Sequence, residues 1–274
     1  MSNMILPGVP PGLFWTFVAL AVIIQGISKS GFAGGAGILS LPLMMLVMPV
    51  NKVVATLLPL LILCDFNAIY HHRRNKDWAC VLSVYRPAVI GILIGAAVWW
   101  WIGKNGVETY GGIIKRFTGA IAVLFAFYIV AKEAALRSVA HYKPDTGVTW
   151  IAGIGAGFCS TIANAAGPIV GLYIFAQDLG KSMFVGTVAW TFTLINLTKL
   201  PFFFATDLID KDVLLFDLIL IPLIPLGSYL GKWMHQRVPE RPFNWTIFVL
   251  TFVGGIQLLS KIDVIKYALE AMAH

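Results

Sequence analysis

The stretch Gln25-Gly26-Ile27-Ser28-Lys29-Ser30-Gly31-Phe32-Ala33-Gly34-Gly35-Ala36-Gly37 decides the fold, because it sets five glycines and a lysine into 13 residues of an otherwise apolar run. The run, 13–36, is long enough for a helix to cross a bilayer, which takes about 20 apolar residues. Each glycine weakens a helix by about 1 kcal/mol relative to alanine, so the spacing predicts a helix break. Broken backbone at membrane depth survives only where protein buries it or an aqueous cavity meets it. A second stretch, Gly153-Ile154-Gly155-Ala156-Gly157-Phe158-Cys159-Ser160-Thr161-Ile162-Ala163-Asn164-Ala165-Ala166-Gly167-Pro168, repeats the design and adds hydroxyl and amide groups.

The rest of the chain fits a membrane protein. Of its 274 residues, 58% are hydrophobic and 12% charged, and the mean hydropathy is +0.82, which excludes a water-soluble globular domain. Residues 1–274 therefore read as a single transmembrane domain. The net charge of +7 comes from lysines and arginines scattered singly between apolar runs, a pattern of cytoplasmic loops and not of a nucleic-acid surface. Cys64, Cys80 and Cys159 are odd in number and lack CxxC spacing, so they read as free thiols, with no disulfide framework, metal site or cofactor. Polar clusters cut the chain into apolar blocks at 13–36, 37–49, 52–70, 79–102, 117–131, 149–166, 167–177, 183–205, 213–231 and 244–260. The blocks 37–49 and 167–177 are too short to span. Trp15, Trp78, Trp99, Trp100, Trp101, Trp150, Trp233 and Trp245 fall at block ends, where headgroup-level anchors belong, and Trp190 lies inside a block.

The halves resemble each other. Gly31-Phe32 with Pro42 ten residues on matches Gly157-Phe158 with Pro168; Asn67 lines up with Asn196, Gly91 and Gly95 with Gly227 and Gly231, and Phe117 with Phe243. Each half, about 13–131 and 149–260, reads as a Gly-rich broken or re-entrant hairpin followed by three transmembrane helices, 8–10 membrane segments in all. Three crossings after a returning hairpin insert the second half upside down, giving an all-α polytopic fold of two inverted-topology repeats, as in many secondary transporters. Loop charge agrees, since His71-His72-Arg73-Arg74-Asn75-Lys76 is basic while its counterpart, 206–212, carries Asp207, Asp210 and Asp212 against one lysine. With the basic loop in the cytoplasm, both termini lie outside.

Two lysines, Lys29 and Lys199, fall within apolar blocks, where a charge is expensive and marks a pathway, a partner or a site. Lys29 reads either as a binding group or as a snorkelling side chain, and Lys199 either as a binding group or as the ion-pair partner of Asp65. Asp65 itself fits a proton carrier or a lysine's counter-ion. Asn196 and Lys199, at i and i+3, share a helix face before Pro201. The glycine stretches serve either an anion, through helix N-termini with unpaired N–H donors, or close packing of small residues. Ammonium groups, amides, hydroxyls and backbone N–H donors suit a small oxyanion. All five histidines lie in loops or at the terminus, and no carboxylate pair occurs inside a block, so an enzyme is not expected. The tail 261–274 reads as an amphipathic surface helix with Ile262, Ile265, Leu269 and Met272 on one face.

Residues 26–37 ending in Leu41-Pro42-Leu43, then 57–65 before the His-Arg-Arg loop, then Asn196-Leu197-Thr198-Lys199-Leu200-Pro201, resemble the TauE/SafE sulfite exporter family over nearly the whole chain. The second hairpin departs from the family pattern Ala-His-Ala-Gly-Gly-Pro: Asn164 stands at the histidine. The resemblance implies a multi-pass carrier of the bacterial inner membrane that exports sulfite, or a sulfonate such as sulfoacetate, by alternating access; uptake and a passive anion channel are the alternatives. Lys29 and Lys199 would supply positive charge, Ser160, Thr161, Asn164 and Asn196 hydrogen bonds, and Ser30, Gly31 and Gly34 part of the broken backbone. Asp65 is the candidate for a coupling proton. The expected partners are the sulfur anion, the lipid bilayer and protons; the sequence does not fix the oligomeric state.

Overall fold

The computed structural model describes residues 2–31, 35–72, 74–139, 144–238 and 240–260. All regular secondary structure among them is helical: α1 (Pro11–Gly31), α2 (Ser40–Met45), α3 (Val50–His72), α4 (Trp78–Asn105), α5 (Val107–Val139), α6 (Thr146–Ala163), α7 (Gly167–Phe175), α8 (Lys181–Ala205), α9 (Lys211–Leu220), α10 (Leu223–Arg237) and α11 (Glu240–Leu259), with short 3-10 turns at Ser2–Met4 and Gly35–Leu39. Helix starts follow local chemistry. Asp77, Asp145 and Asp210 accept hydrogen bonds from the backbone N–H groups of Cys80, Val148 and Val213, capping α4, α6 and α9.

Six helices contain stretches long and apolar enough to cross a membrane: Pro11–Lys29, Val50–Tyr70, Trp78–Asn105, Thr109–Tyr128, Thr146–Ala163 and Ser182–Ala205. The block 213–231, expected as one span, is broken into α9 and α10, which meet at 44°. Pro222 lies in the break and Pro225 shortly after it, and neither has an N–H to continue the helical ladder. In α11 the apolar part is the shorter Trp245–Leu259. The short blocks become α2 and α7, six and nine residues long. The proposed tail helix, 261–274, lies outside the described residues.

At the centre is α3, with Val53, Val54, Ala55, Leu57, Leu58 and Leu60 buried around its circumference. Around the periphery, Leu93, Leu124, Phe127, Ile151, Leu218 and Val253 are exposed large apolar side chains, as a lipid-facing surface requires. Trp99 corrects the expectation of an anchor at the headgroups. It is 2% exposed, and its indole N–H donates to the Thr161 carbonyl at 3.0 Å.

The glycines divide by position. Gly26 lies within α1, and Gly153, Gly155 and Gly157 lie within an unbroken α6. Most of them bring helices together. A Cβ on Gly26 would sit 2.9 Å from the Gly227 Cα, joining α1 to α10, and one on Gly119 would sit 2.7 Å from the Gly255 carbonyl, joining α5 to α11. Between α4 and α6, Cβ atoms on Gly91 and Gly157 would collide with the carbonyls of Ile154 and Ala88, and Gly153 faces Pro87. The regular helix instead stops at Gly31 and at Ala163. Asn164 adopts a left-handed conformation, φ 47°, and its N–H donates to the Ser160 carbonyl at 2.9 Å, a C-terminal cap that ends α6 before Gly167-Pro168 begins α7.

Two outcomes follow from this packing. Gly91→Ala is expected to destabilise the protein by about 1–3 kcal/mol, whereas Gly111→Ala, where an added Cβ meets nothing within 4 Å, is expected to be neutral or mildly stabilising; thermal unfolding in detergent compares them. At the start of α3, Lys52 pairs with Asp210 at 2.5 Å. Burial pushes the Asp210 carboxyl up, but the hydrogen bond from Lys52, the Val213 amide and the Lys52 charge outweigh it and hold the group below the usual carboxylate range. A carboxylate held low stabilises the fold above its unfolded value and loses that contribution as pH falls. Acidification from about pH 6 to about pH 3 should therefore lower the melting temperature of the wild type more than that of Asp210→Asn.

Candidate functional site

Three charged residues of the membrane interior, Lys29, Asp65 and Lys199, converge where α1, α3, α6 and α8 approach one another. Lys29, on the last turn of α1, places its ammonium 2.5 Å from Asp65 Oδ1 on α3. The Asp65 carboxylate is completely buried, and its second oxygen accepts from Asn196 Nδ2 on α8 at 2.6 Å. Both oxygens are thus engaged, so the direct ion-pair partner of Asp65 is Lys29, and Lys199 makes no hydrogen bond to it. The Lys29 ammonium also lies 4.4 Å from the centroid of the Phe192 ring.

One turn further along α8, Lys199 is wholly buried and donates to the Ser160 carbonyl at 3.1 Å, the Ser160 hydroxyl at 2.9 Å and Asn164 Oδ1 at 2.7 Å. None of these partners is an acid. The C-terminal end of a helix carries partial negative charge, so α6 directs its last carbonyls at a cation that has no carboxylate of its own. Asn164 joins the two levels of structure. Its left-handed backbone terminates α6, while its side chain accepts from Lys199 and donates to the Val54 carbonyl of α3 at 3.1 Å. Since Asn196 and Lys199 are i and i+3, α8 connects the Lys29–Asp65 pair to the Lys199–Asn164 cluster.

A cavity of about 40 Å³ lies between these groups, enough for a few waters. Its wall includes Lys29, Asn196, Ser160 and Asn164 from the expected set, and Gln25, Gly37 and Phe192 in addition. Lys199 sits behind this wall, holding Ser160 and Asn164. Thr161 plays a structural part: its hydroxyl donates to the Gly157 carbonyl at 2.8 Å, and its methyl side faces Gly95. Ser30 and Gly31 end α1, and Gly34 lies outside the described residues. The 3-10 turn is not a row of free donors, because Gly37 N–H donates to Ser28 Oγ at 2.7 Å and the Gly37 carbonyl accepts from Gln25 Nε2 at 2.8 Å. Gln25 and Phe192 were open to inference, being one helical turn before Lys29 and Asn196 on the same faces. Asp217 was missed although it is the only charged residue of the block 213–231. Among the described residues, no group of three or more His, Cys, Asp or Glu side chains is placed to hold a metal.

A multi-pass helical membrane protein with a polar, lysine-bearing cavity between broken helices belongs to the transporter class. Residues 18–258 match the family model "Sulfite exporter TauE/SafE", and the chain belongs to that family. No curated protein and no solved structure matches it significantly.

The ion pair makes a measurable claim. Lys29→Met or Asp65→Asn alone strands a buried partner and is expected to destabilise by about 3–5 kcal/mol, while the double variant recovers most of that loss. Thermal unfolding of the four proteins closes the cycle; additive losses would count against a direct pair.

Proposed function

We propose that the protein is a secondary transporter that exports sulfite or a related small sulfur anion, such as a sulfonate, across the bacterial inner membrane. The observation that carries this reading is Lys199: a fully buried amino group held by a carbonyl, a hydroxyl and an amide, without a carboxylate, beside a polar cavity. With Lys29, Asp65 and Lys199 ionised, the site has one positive charge in excess, and a bound monoanion neutralises it. Asn196, Ser160 and Asn164 offer hydrogen-bonding groups on the cavity wall, and Lys29 supplies charge once the anion competes with Asp65 for its ammonium. An interior-negative membrane potential drives such an anion outward.

Alternating access follows from an inverted repeat, in which α1 corresponds to α6, α2 to α7, α3 to α8, α4 to the bent pair α9–α10, and α5 to α11. The packing supports that correspondence by exchange: Gly91 of α4 faces α6, and its counterpart Gly227 of α10 faces α1. The main pairs α4–α6, α1–α10, α3–α8 and α5–α11 each join one half to the other. The basic loop at 71–76 faces the cytoplasm in this reading, and both termini face the periplasm.

Counterflow of labelled sulfite in proteoliposomes tests the function, with sulfite, sulfoacetate, sulfate and acetate as trans ligands. Saturable counterflow, selective for the sulfur anions and reduced at least about tenfold in Lys29→Gln and Lys199→Gln, is the expected result. Flux that rises linearly without counterflow would instead identify a channel, and undiminished transport by both variants would remove the lysines from the site. Inward accumulation under an outward-directed driving force would reverse the direction.

A further inference from the structure

Asp217 lies on α9, three residues before its end, with 3% of its surface exposed and neither carboxyl oxygen hydrogen-bonded. An ionised carboxylate so placed would carry a full charge with neither water nor a donor to hold it, whereas the neutral acid forfeits only hydrogen bonds. Among the described residues, the charged side chains of the helices packed against α9 are already engaged. On α3, Lys52 holds Asp210, and Asp65 holds Lys29 and Asn196; on α1, which meets α9 through Phe14 and Phe216, the cation is Lys29 itself. On α9 and at its start, Lys211, Asp212 and Asp210 lie at the opposite end of the helix from its bend.

The position of α9 gives the acid leverage. It packs on α3, the helix that carries Asp65, and continues through the 44° bend into α10. There Gly227 rests on Gly26 of α1, one turn before Lys29. One bent arm therefore leans on both helices that supply the Lys29–Asp65 pair. We propose that Asp217 is a proton-binding site that gates this arm: the neutral acid keeps α9 packed as described above, and loss of the proton to water drives α9 off α3 and α1. This rests on the transporter reading for its consequence, namely that protons on Asp217 set how often the site alternates.

The step is a reversible proton exchange between the Asp217 carboxyl and water on the side to which the arm opens. A rise in pH favours the charged acid and hence the open arm. Infrared spectroscopy of the protein in lipid tests the site directly. The carbonyl band of a protonated carboxylic acid in an apolar setting is expected in the wild type, shifted in Asp217→Glu and absent in Asp217→Asn. Sulfite counterflow then tests the gate. The ratio of the wild-type rate to the Asp217→Asn rate, in which the protonation of sulfite itself cancels, should change at least about threefold between about pH 6 and pH 9, because only the wild-type side chain can ionise. A wild type without a band that moves in Asp217→Glu, or an Asp217→Asn profile that parallels the wild type, would overturn the proposal. Absence of saturable counterflow in the wild type would refute the transporter reading and leave the infrared result to decide Asp217 on its own.

Discussion

Bringing Lys29 and Asp65 together inside the bilayer is the constraint from which the rest follows. Each charge alone would be costly in a medium of low dielectric constant. Paired at 2.5 Å, with Asn196 on the second carboxylate oxygen, they become tolerable, and three helices are thereby tied at one depth. Because α8 also bears Lys199, the same tie fixes where a second cation meets the end of α6. The cavity is what remains between groups whose positions are set by these bonds, with Phe192 covering the Lys29 ammonium from one side.

Glycine provides the space in which those ties operate. Without lipid-phase hydrophobic attraction between helices, association depends on close van der Waals contact, and the glycines of α1, α4, α5 and α6 allow backbones to approach each other directly. The breaks that shape the cavity are achieved differently. At the end of α6 it is the left-handed Asn164, a residue with a short polar side chain that tolerates positive φ, and not a glycine, that turns the chain.

Much of this was legible in the sequence because membrane proteins restrict what is allowed. Apolar blocks gave the helices, since backbone in lipid has few alternatives, and Lys29, Lys199 and Asp65 stood out as charges in the wrong solvent. Partner choice was another matter: i and i+3 spacing relates groups on one helix but does not say which helix lies opposite, so Asp65 was matched with Lys199, whereas the structure bonds it to Lys29. Gly153 and Gly157 illustrate the limit for glycine, whose helix-weakening tendency of about 1 kcal/mol is overridden when its missing side chain lets α4 approach. Trp99 resembled Trp100 and Trp101 in composition alone; only the phase of α4 turns it inward to Thr161. The bend between α9 and α10 was signalled by Pro222 and Pro225 and was obscured by the uninterrupted hydrophobicity around them.

The contacts made by α1 and α4 also differ in mechanical character. Between α4 and α6, side chains seat in glycine hollows, Pro87 against Gly153 and Thr161 against Gly95, so that sliding would require knobs to leave their sockets. Between α1 and α10, Gly26 and Gly227 meet backbone to backbone, with no side chain from either crossing the gap. The first is a keyed joint; the second, at this pair of glycines, is smooth backbone on smooth backbone, with no knob to set the angle between α1 and α10 there.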